Sequence, residues 1–434
     1  VYVARVTSPF VAIRVIASGG TPDVGADHVE TTNLLATLLR KGTKRRSVFQ
    51  LKADYLALGM EPFQVWTYAD AMVLSLVVPA ERLEDGASML AEVAFQPLLG
   101  KDFFERVREQ IARNREADLL DTSVIANRVA RRVVFGANHY AGTYGVAKET
   151  RATRLEDLVA LHKKVFDPRR ISIVVAGSAA RDEVVSALDD TFGKQPSGIG
   201  PLPPPEPPVV PRPAPRLVLV DVPGNSFATI VAGATGPQAG SADEEAAILA
   251  LQALADSTLG RLTKRLRADL GYTSQVGLWH LLLRSSGYLS FSARLGNETV
   301  GSALKETDAV LRALGAQGPS EEEATGLRER RLFSTVSSFE TPAEAALAYG
   351  DWLAAGQAPD RAVTRNDRIA QVTPQALKGA AARYLDADGI HYVVAGDAAT
   401  LKAPLEALGW GPLELRSPAG AVLPAGVEAQ AKRR

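Results

Sequence analysis

The sequence predicts an α+β protein built from two tandem sandwich domains, and three observations carry that expectation. Apolar strand-like runs such as VAIRVIASGG and AMVLSLVVP stand apart from the stretch between Ala80 and about Val165, which reads as helix. Strands grouped away from helices indicate packed layers and argue against a wound βαβ sheet. The chain also repeats itself: FDPRRISIVVAGSA (Phe166 to Ala179) answers LDADGIHYVVAGDA (Leu385 to Ala398), and PFVAIRVIASGG from Pro9 answers SFATIVAGATGP from Ser226. Between the halves runs QPSGIGPLPPPEPPVVPRPAPR (Gln195 to Arg216), in which proline excludes helix interiors and central strands. A chain of 434 residues exceeds one comfortable core in any case. The expected division is a domain over 1–195, a linker over 196–216, a second domain over 217–420 and a tail over 421–434.

In chain order, the pattern predicts a strand near 9–18, a helix near 27–40 and another near 48–58, then strands near 60–68 and 71–79. AERLEDGASMLAEVAF is the most regular of the helical segments that follow. In the first helix Leu34, Leu35, Leu38 and Leu39 form a buried stripe, which sets Asn33, Ala36, Thr37 and Arg40 on the other side. Residues four apart on a helix stand one above the other, so a metal site built there would use positions 33 and 37 with a carboxylate between them. The linker, in polyproline geometry, could reach on the order of 60 Å. Its P-x-x-P matches also fit a docking motif for a proline-reading module. The helical patterns LEDLVALHKKV and PQALKGAAARY precede the two repeated strands and support a second domain like the first.

The segment GADHVETTNLLATLLRKGTKRRS (Gly25 to Ser47), with the glycine-ended strand before it, resembles the metal-binding helix of the pitrilysin/insulinase family. These zinc peptidases, the inverzincins, carry H-x-x-E-H. Setting Lys41-Gly42-Thr43 on the family's K-G-T ending puts Asn33, Ala36 and Thr37 at the His, Glu and His positions. The family's third ligand, a Glu in a later helix, falls on Arg113 or Asn114 within FFERVREQIARNREADLL. HYAGTYG stands where relatives often have a His-Pro-Tyr-Gly turn.

The resemblance implies two homologous α/β sandwich domains of the mitochondrial-processing-peptidase type, together half of a clamshell. With every metal-binding residue replaced, it implies no catalytic residue, metal or cofactor in this chain. Zinc would belong to a homologous peptidase subunit in a heterodimer, and the pair would enclose unfolded peptide. The alternative within the same fold is a structural or peptide-binding protein outside proteolysis, as in the core subunits of a respiratory complex.

A second stretch, GRLTKRLRADLGYTSQVG (Gly260 to Gly277), is similar to a family segment whose Arg and Tyr hold substrate backbone and stabilise the oxyanion. Arg265 and Tyr272 have the matching spacing, whereas an alignment begun at Gly260-Arg261-Leu262 pairs Arg267 with Ser274 and loses the Tyr. The plainer alternative is an exposed basic helix end followed by a buried strand tyrosine.

Composition narrows the remaining classes. Equal numbers of basic and acidic residues, 49 of each, argue against nucleic acid, whose binders carry a basic face. No apolar run reaches the roughly 18 residues that span a bilayer. Absence of cysteine removes disulfides, thiol ligands and a thiol nucleophile without fixing the compartment. RKGTKRR reads as a solvated loop after a helix. His28 and Glu30 lack a third ligand nearby and read as surface residues, and the other four histidines are scattered. No G-x-S-x-G elbow or phosphate loop is present.

Overall fold

A strand buried on both faces loses the polar–apolar alternation of an exposed one, and β2 (Phe10–Ser18) is such a strand. The computed structural model describes residues 1–5, 8–59, 63–198, 214–258 and 260–424. The start of the strand expected at 60–68, most of the linker (199–213) and the end of the tail (425–434) therefore lie outside the described residues.

The first sheet adds to β2 the strands β1 (Tyr2–Ala4), β3 (Gln64–Thr67), β4 (Ala71–Pro79) and β5 (Ile171–Gly177). Their order is β1-β5-β2-β4-β3. β2 runs antiparallel to both neighbours, with Val11 opposite Val78 on one side and Gly177 on the other. Val11, Ile13, Val15, Met72 and Leu74 point to a core shared with residues of the helices Val29–Leu38, Leu83–Phe95 and Leu155–Val165. The opposite face carries Ala12, Ile16, Val73 and Val174 and is covered by Ala345, Ala346 and Ala354 of the helix Pro342–Ala354.

The second sheet consists of β6 (Leu217–Asp221), β7 (Phe227–Gly236), β8 (Val276–Leu282), β9 (Gly287–Gly296), β10 (His391–Gly396) and β11 (Glu414–Arg416). Its order is β11-β6-β10-β7-β9-β8. Ile230, Ala232, Phe291 and Val394 pack with the helices Glu244–Ala255, Val300–Gln317 and Pro374–Tyr384. The other face, with Val218, Val220, Val231 and Val393, meets Ile125, Val129 and Val133 of the helix Thr122–Phe135.

Each compact unit thus takes a helical segment from the opposite half of the sequence. The first unit is Val1–Asn114, Gly142–Glu206 and Ser334–Thr364, and the second is Arg115–Ala141, Pro207–Phe333 and Arg365–Arg434. A linear division at the linker does not follow these units, because each sheet has a second apolar face that its own half leaves uncovered.

Two buried ion clusters fix these layers. In the first unit Arg14, 1% exposed, donates from Nη2 to Asp351 Oδ1 at 2.9 Å and to the Tyr68 hydroxyl. Its guanidinium lies 5.2 Å from the Trp66 ring centre and 5.6 Å from that of Tyr68. A Cβ on Gly350 would come within 2.4 Å of Arg14 Cδ and Nε, so only glycine lets the covering helix pass this close. Burial holds the Asp351 carboxyl above the usual range against the pull of Arg14, and it raises the Tyr68 phenol to about 12. In the second unit Glu245 accepts from Arg331 and Arg365, each at 3.3 Å.

Burial pushes His280 of β8 down to about 4, with Arg331 acting in the same direction. It also lowers His162, whose Nε2 lies 2.8 Å from the Ala94 carbonyl, and His391. A histidine whose folded pKa lies below its unfolded value binds its proton more readily when the chain unfolds. The contribution to stability is therefore complete above about pH 6.5 and is lost as pH falls toward about 4. Calorimetry at about pH 7 and about pH 5 should show a lower Tm at the acid end, and His280→Asn should reduce the difference.

The loop after the first helix is anchored where solvation was expected. Thr43 is buried with its hydroxyl on the Glu92 carboxylate, and Arg46 pairs with Glu92 and, at 2.7 Å, with Asp54. Lys44 and Arg45 are the exposed part. Among the described residues no helix is long and apolar enough to cross a membrane.

Candidate functional site

The helix Val29–Leu38 buries Leu34, Leu35 and Leu38, and this turns Asn33 and Thr37 toward the β3 end of the first sheet. Asn33 Nδ2 donates to the Thr143 carbonyl at 3.3 Å and to Glu30 Oε1 at 3.4 Å, while its Oδ1 accepts from Thr67 Oγ1 at 3.3 Å. The Thr37 hydroxyl donates back along the helix to the Asn33 carbonyl at 3.0 Å. Ala36, between them, is buried. The Asn33 amide thus ties the helix to β3 and to Thr143, while the Thr37 hydroxyl bonds back to its own helix.

Glu30 departs from expectation. It is 1% exposed, and its Oε1 accepts from the Gly145 amide at 2.6 Å. A residue read as a surface acid instead fastens the HYAGTYG turn through the Gly145 amide, and a Cβ at Gly145 would lie 2.9 Å from Glu30 Cγ. His28 is exposed, as read.

Arg113 and Asn114 are both exposed on the helix Lys101–Asp118, and Arg113 pairs with Glu109 at 3.7 Å. An amide, a methyl, a hydroxyl and a guanidinium do not make a zinc donor set. Among the described residues no group of three or more His, Cys, Asp or Glu side chains stands close enough to hold a metal ion.

The second-half pair is placed as follows. Arg265 and Arg267 lie in the π-helical stretch Lys264–Asp269. Arg265 is held by Glu306 at 2.8 Å and Asp269 at 3.7 Å, and Arg267 is exposed. Tyr272 precedes β8 and packs partly against the core of its unit, while Ser274 is exposed.

Each unit, taken by itself, also has a sheet edge. β3 ends the first sheet and β8 the second, and among the described residues no further strand pairs with either. Each bears an exposed tryptophan, Trp66 at 40% and Trp279 at 62%. An open edge presents a row of backbone donors and acceptors to any extended chain. Neither edge was singled out in the sequence, although a tryptophan in a short polar-flanked strand was a usable signal.

Two sheets, each covered by helices, with no metal-binding cluster among the described residues, are the frame on which the comparisons fall. Residues 153–330 match the family model described as Peptidase M16 inactive domain. No curated protein matches the chain. Among solved structures, a peptidase M16 inactive domain from Pseudomonas fluorescens aligns with TM-score 0.82 and 20% identity, over 91% of this chain and 94% of that one. A protease from Helicobacter pylori gives 0.80 and 16% identity over 90% and 94%. The periplasmic protease PqqL from Escherichia coli gives 0.74 and 14% identity, over 90% of this chain and 43% of PqqL. The family model thus covers residues 153–330, less than half of the chain, and the solved structures share its fold.

Proposed function

We propose that this chain is the non-catalytic subunit of a two-chain zinc metallopeptidase. It holds unfolded peptide as an added strand on β3 and positions it for a homologous partner that carries H-x-x-E-H and the zinc. One observation carries this reading: Thr67, the last residue of the open edge strand, is hydrogen-bonded to Asn33 at a former ligand position. The chemistry has been removed and the edge beside it kept. An added strand is recognised through backbone groups, so loss of the metal ligands leaves that function intact. Arg267, exposed in the second half, offers a guanidinium to peptide carbonyls, a role for which Arg265 and Tyr272 are less available.

The test is zinc content and cleavage of an unstructured peptide, measured on this chain alone and mixed with an H-x-x-E-H subunit encoded beside it. Zinc and cleavage only in a one-to-one mixture are the expected result. Zinc-dependent cleavage by the chain alone would overturn the reading. A partner whose activity and elution are unaffected by this chain would favour the structural or peptide-binding alternative.

A further inference from the structure

The most exposed large apolar side chain among the described residues is Phe49, at 82%, and it follows the basic run RKGTKRR by three residues. The helix Val48–Ala57 that carries it buries Leu51 and Tyr55. That turns Phe49, Lys52, Ala53 and Leu56 outward, with Leu56 67% exposed. Positions spaced i, i+3, i+4 and i+7 share one face, and on a surface helix the outward face is ordinarily polar. Here its two largest members are apolar. The helix is preformed, because the Ser47 hydroxyl accepts from the Gln50 amide at 3.3 Å and Gln50 Oε1 accepts from the Ser47 amide at 2.9 Å.

The charge around this face has one sign. Residues 40–59 include Arg40, Lys41, Lys44, Arg45, Arg46 and Lys52 against the single acid Asp54. Arg46 is committed, to Asp54 at 2.7 Å and to Glu92. Its pairs and the bridge between Gly42 and Ser47 fix the basic loop against the helix. Arg40 acts with Arg46 to oppose the rise that burial imposes on the Tyr55 phenol, so its charge also stands near this helix. Among the described residues no acidic side chain pairs with Arg40, Lys44, Arg45 or Lys52, and all four are exposed.

We infer that this face is a docking surface for an anionic phospholipid bilayer, with the helix lying in the plane of the interface. Phe49 and Leu56 enter among the acyl chains, while Arg40, Lys44 and Arg45 meet the headgroup phosphates at the rim. Lys52 lays its stem along the apolar surface and returns its ammonium to the headgroups. Charge and apolarity together select this occupant. A soluble polyanion would answer the cations and leave Phe49 and Leu56 in water. An apolar protein face would cover Phe49 and Leu56 and leave the cations without counter-charge. A helix of ten residues is about 15 Å long, so the attachment is peripheral and reversible.

The test is flotation of the full chain with vesicles of phosphatidylcholine alone and of phosphatidylcholine with about one-quarter phosphatidylglycerol. Because the chain has no cysteine, Ala53→Cys carrying a nitrobenzoxadiazole label reports insertion from one place. The expected result is flotation with the anionic vesicles only, with a blue-shifted label that brominated acyl chains quench. Lys44→Glu combined with Arg45→Glu should lower the partition coefficient by about tenfold or more. Phe49→Ser combined with Leu56→Ser should do the same. All four side chains are exposed, so Tm should be unchanged in both pairs, and Lys52→Glu is a third variant should either pair unfold. Flotation with neither vesicle, or with both alike, overturns the inference. So does flotation that survives either pair of substitutions, which would put the contact elsewhere. Anionic vesicles that bind the chain while the label stays in water overturn it as well, because the contact would then be electrostatic without insertion.

Discussion

Glu245→Ala is expected to cost the second unit on the order of 3–5 kcal/mol, the penalty for removing one partner from a buried ion cluster. The carboxylate is 3% exposed and is the shared acceptor of Arg331 and Arg365, both of them largely enclosed. Removing it takes away the acceptor that two guanidinium groups share, in a buried layer where Glu244 also acts on Arg331 and Arg331 acts on His280. For a unit of this size a loss of that order lowers Tm by roughly 10 °C or more. Glu245→Gln should be nearly as harmful, because it keeps the shape and one acceptor but not the charge. Replacing all three residues by leucine or methionine should recover much of the loss, since apolar groups of similar volume carry no desolvation penalty. Urea or thermal denaturation followed by near-ultraviolet circular dichroism checks this. A cost under about 1 kcal/mol for Glu245→Ala would mean the cluster is solvated.

The second large effect concerns the first half produced alone. A polypeptide of residues 1–198 contains β1 to β5 and their main helical layer but not the helix Pro342–Ala354. Its sheet would present Ala12, Ile16, Val73, Val174 and Ala176 to water and would leave Arg14 without Asp351. Each large aliphatic side chain exposed this way forfeits roughly 1.5–3 kcal/mol, and several together exceed the margin by which a domain is stable. We expect this piece to be insoluble or loosely packed, with retained far-ultraviolet but lost near-ultraviolet signal. Joining residues 334–364 to it through a flexible tether should restore a cooperative transition. A sharp two-state melt of 1–198 by itself would refute the dependence.

How far the sequence could be read follows from what each kind of signal encodes. Strand and helix positions were legible because periodicity is local. The run VAIRVIAS became β2 and the leucine stripe became the helix Val29–Leu38. The setting of Asn33, Ala36 and Thr37 against a spaced motif is of another kind, an expectation that rests on the resemblance. The covering of each sheet by a helix from the opposite half was not legible. The amphipathic pattern of Thr122–Phe135 states that it has an apolar face, but nothing in that pattern says which sheet receives it. Glu30 was misread for a related reason, because its partner is the backbone of Gly145 and leaves no trace in side-chain composition. Arg14 is a long-range contact with a local sign, a cation in the middle of an apolar strand, where burial is tolerated only with a partner.

The reciprocal placement of segments changes what holds the two halves together. Four covalent connections besides the proline-rich one pass between the units, two flanking the segment Arg115–Ala141 and two flanking Ser334–Thr364. A polypeptide cut once within the proline-rich stretch would give fragments that each lend a layer to the other's sheet, and neither could depart without stripping a core. Fragments of this kind are expected to behave as complementing halves.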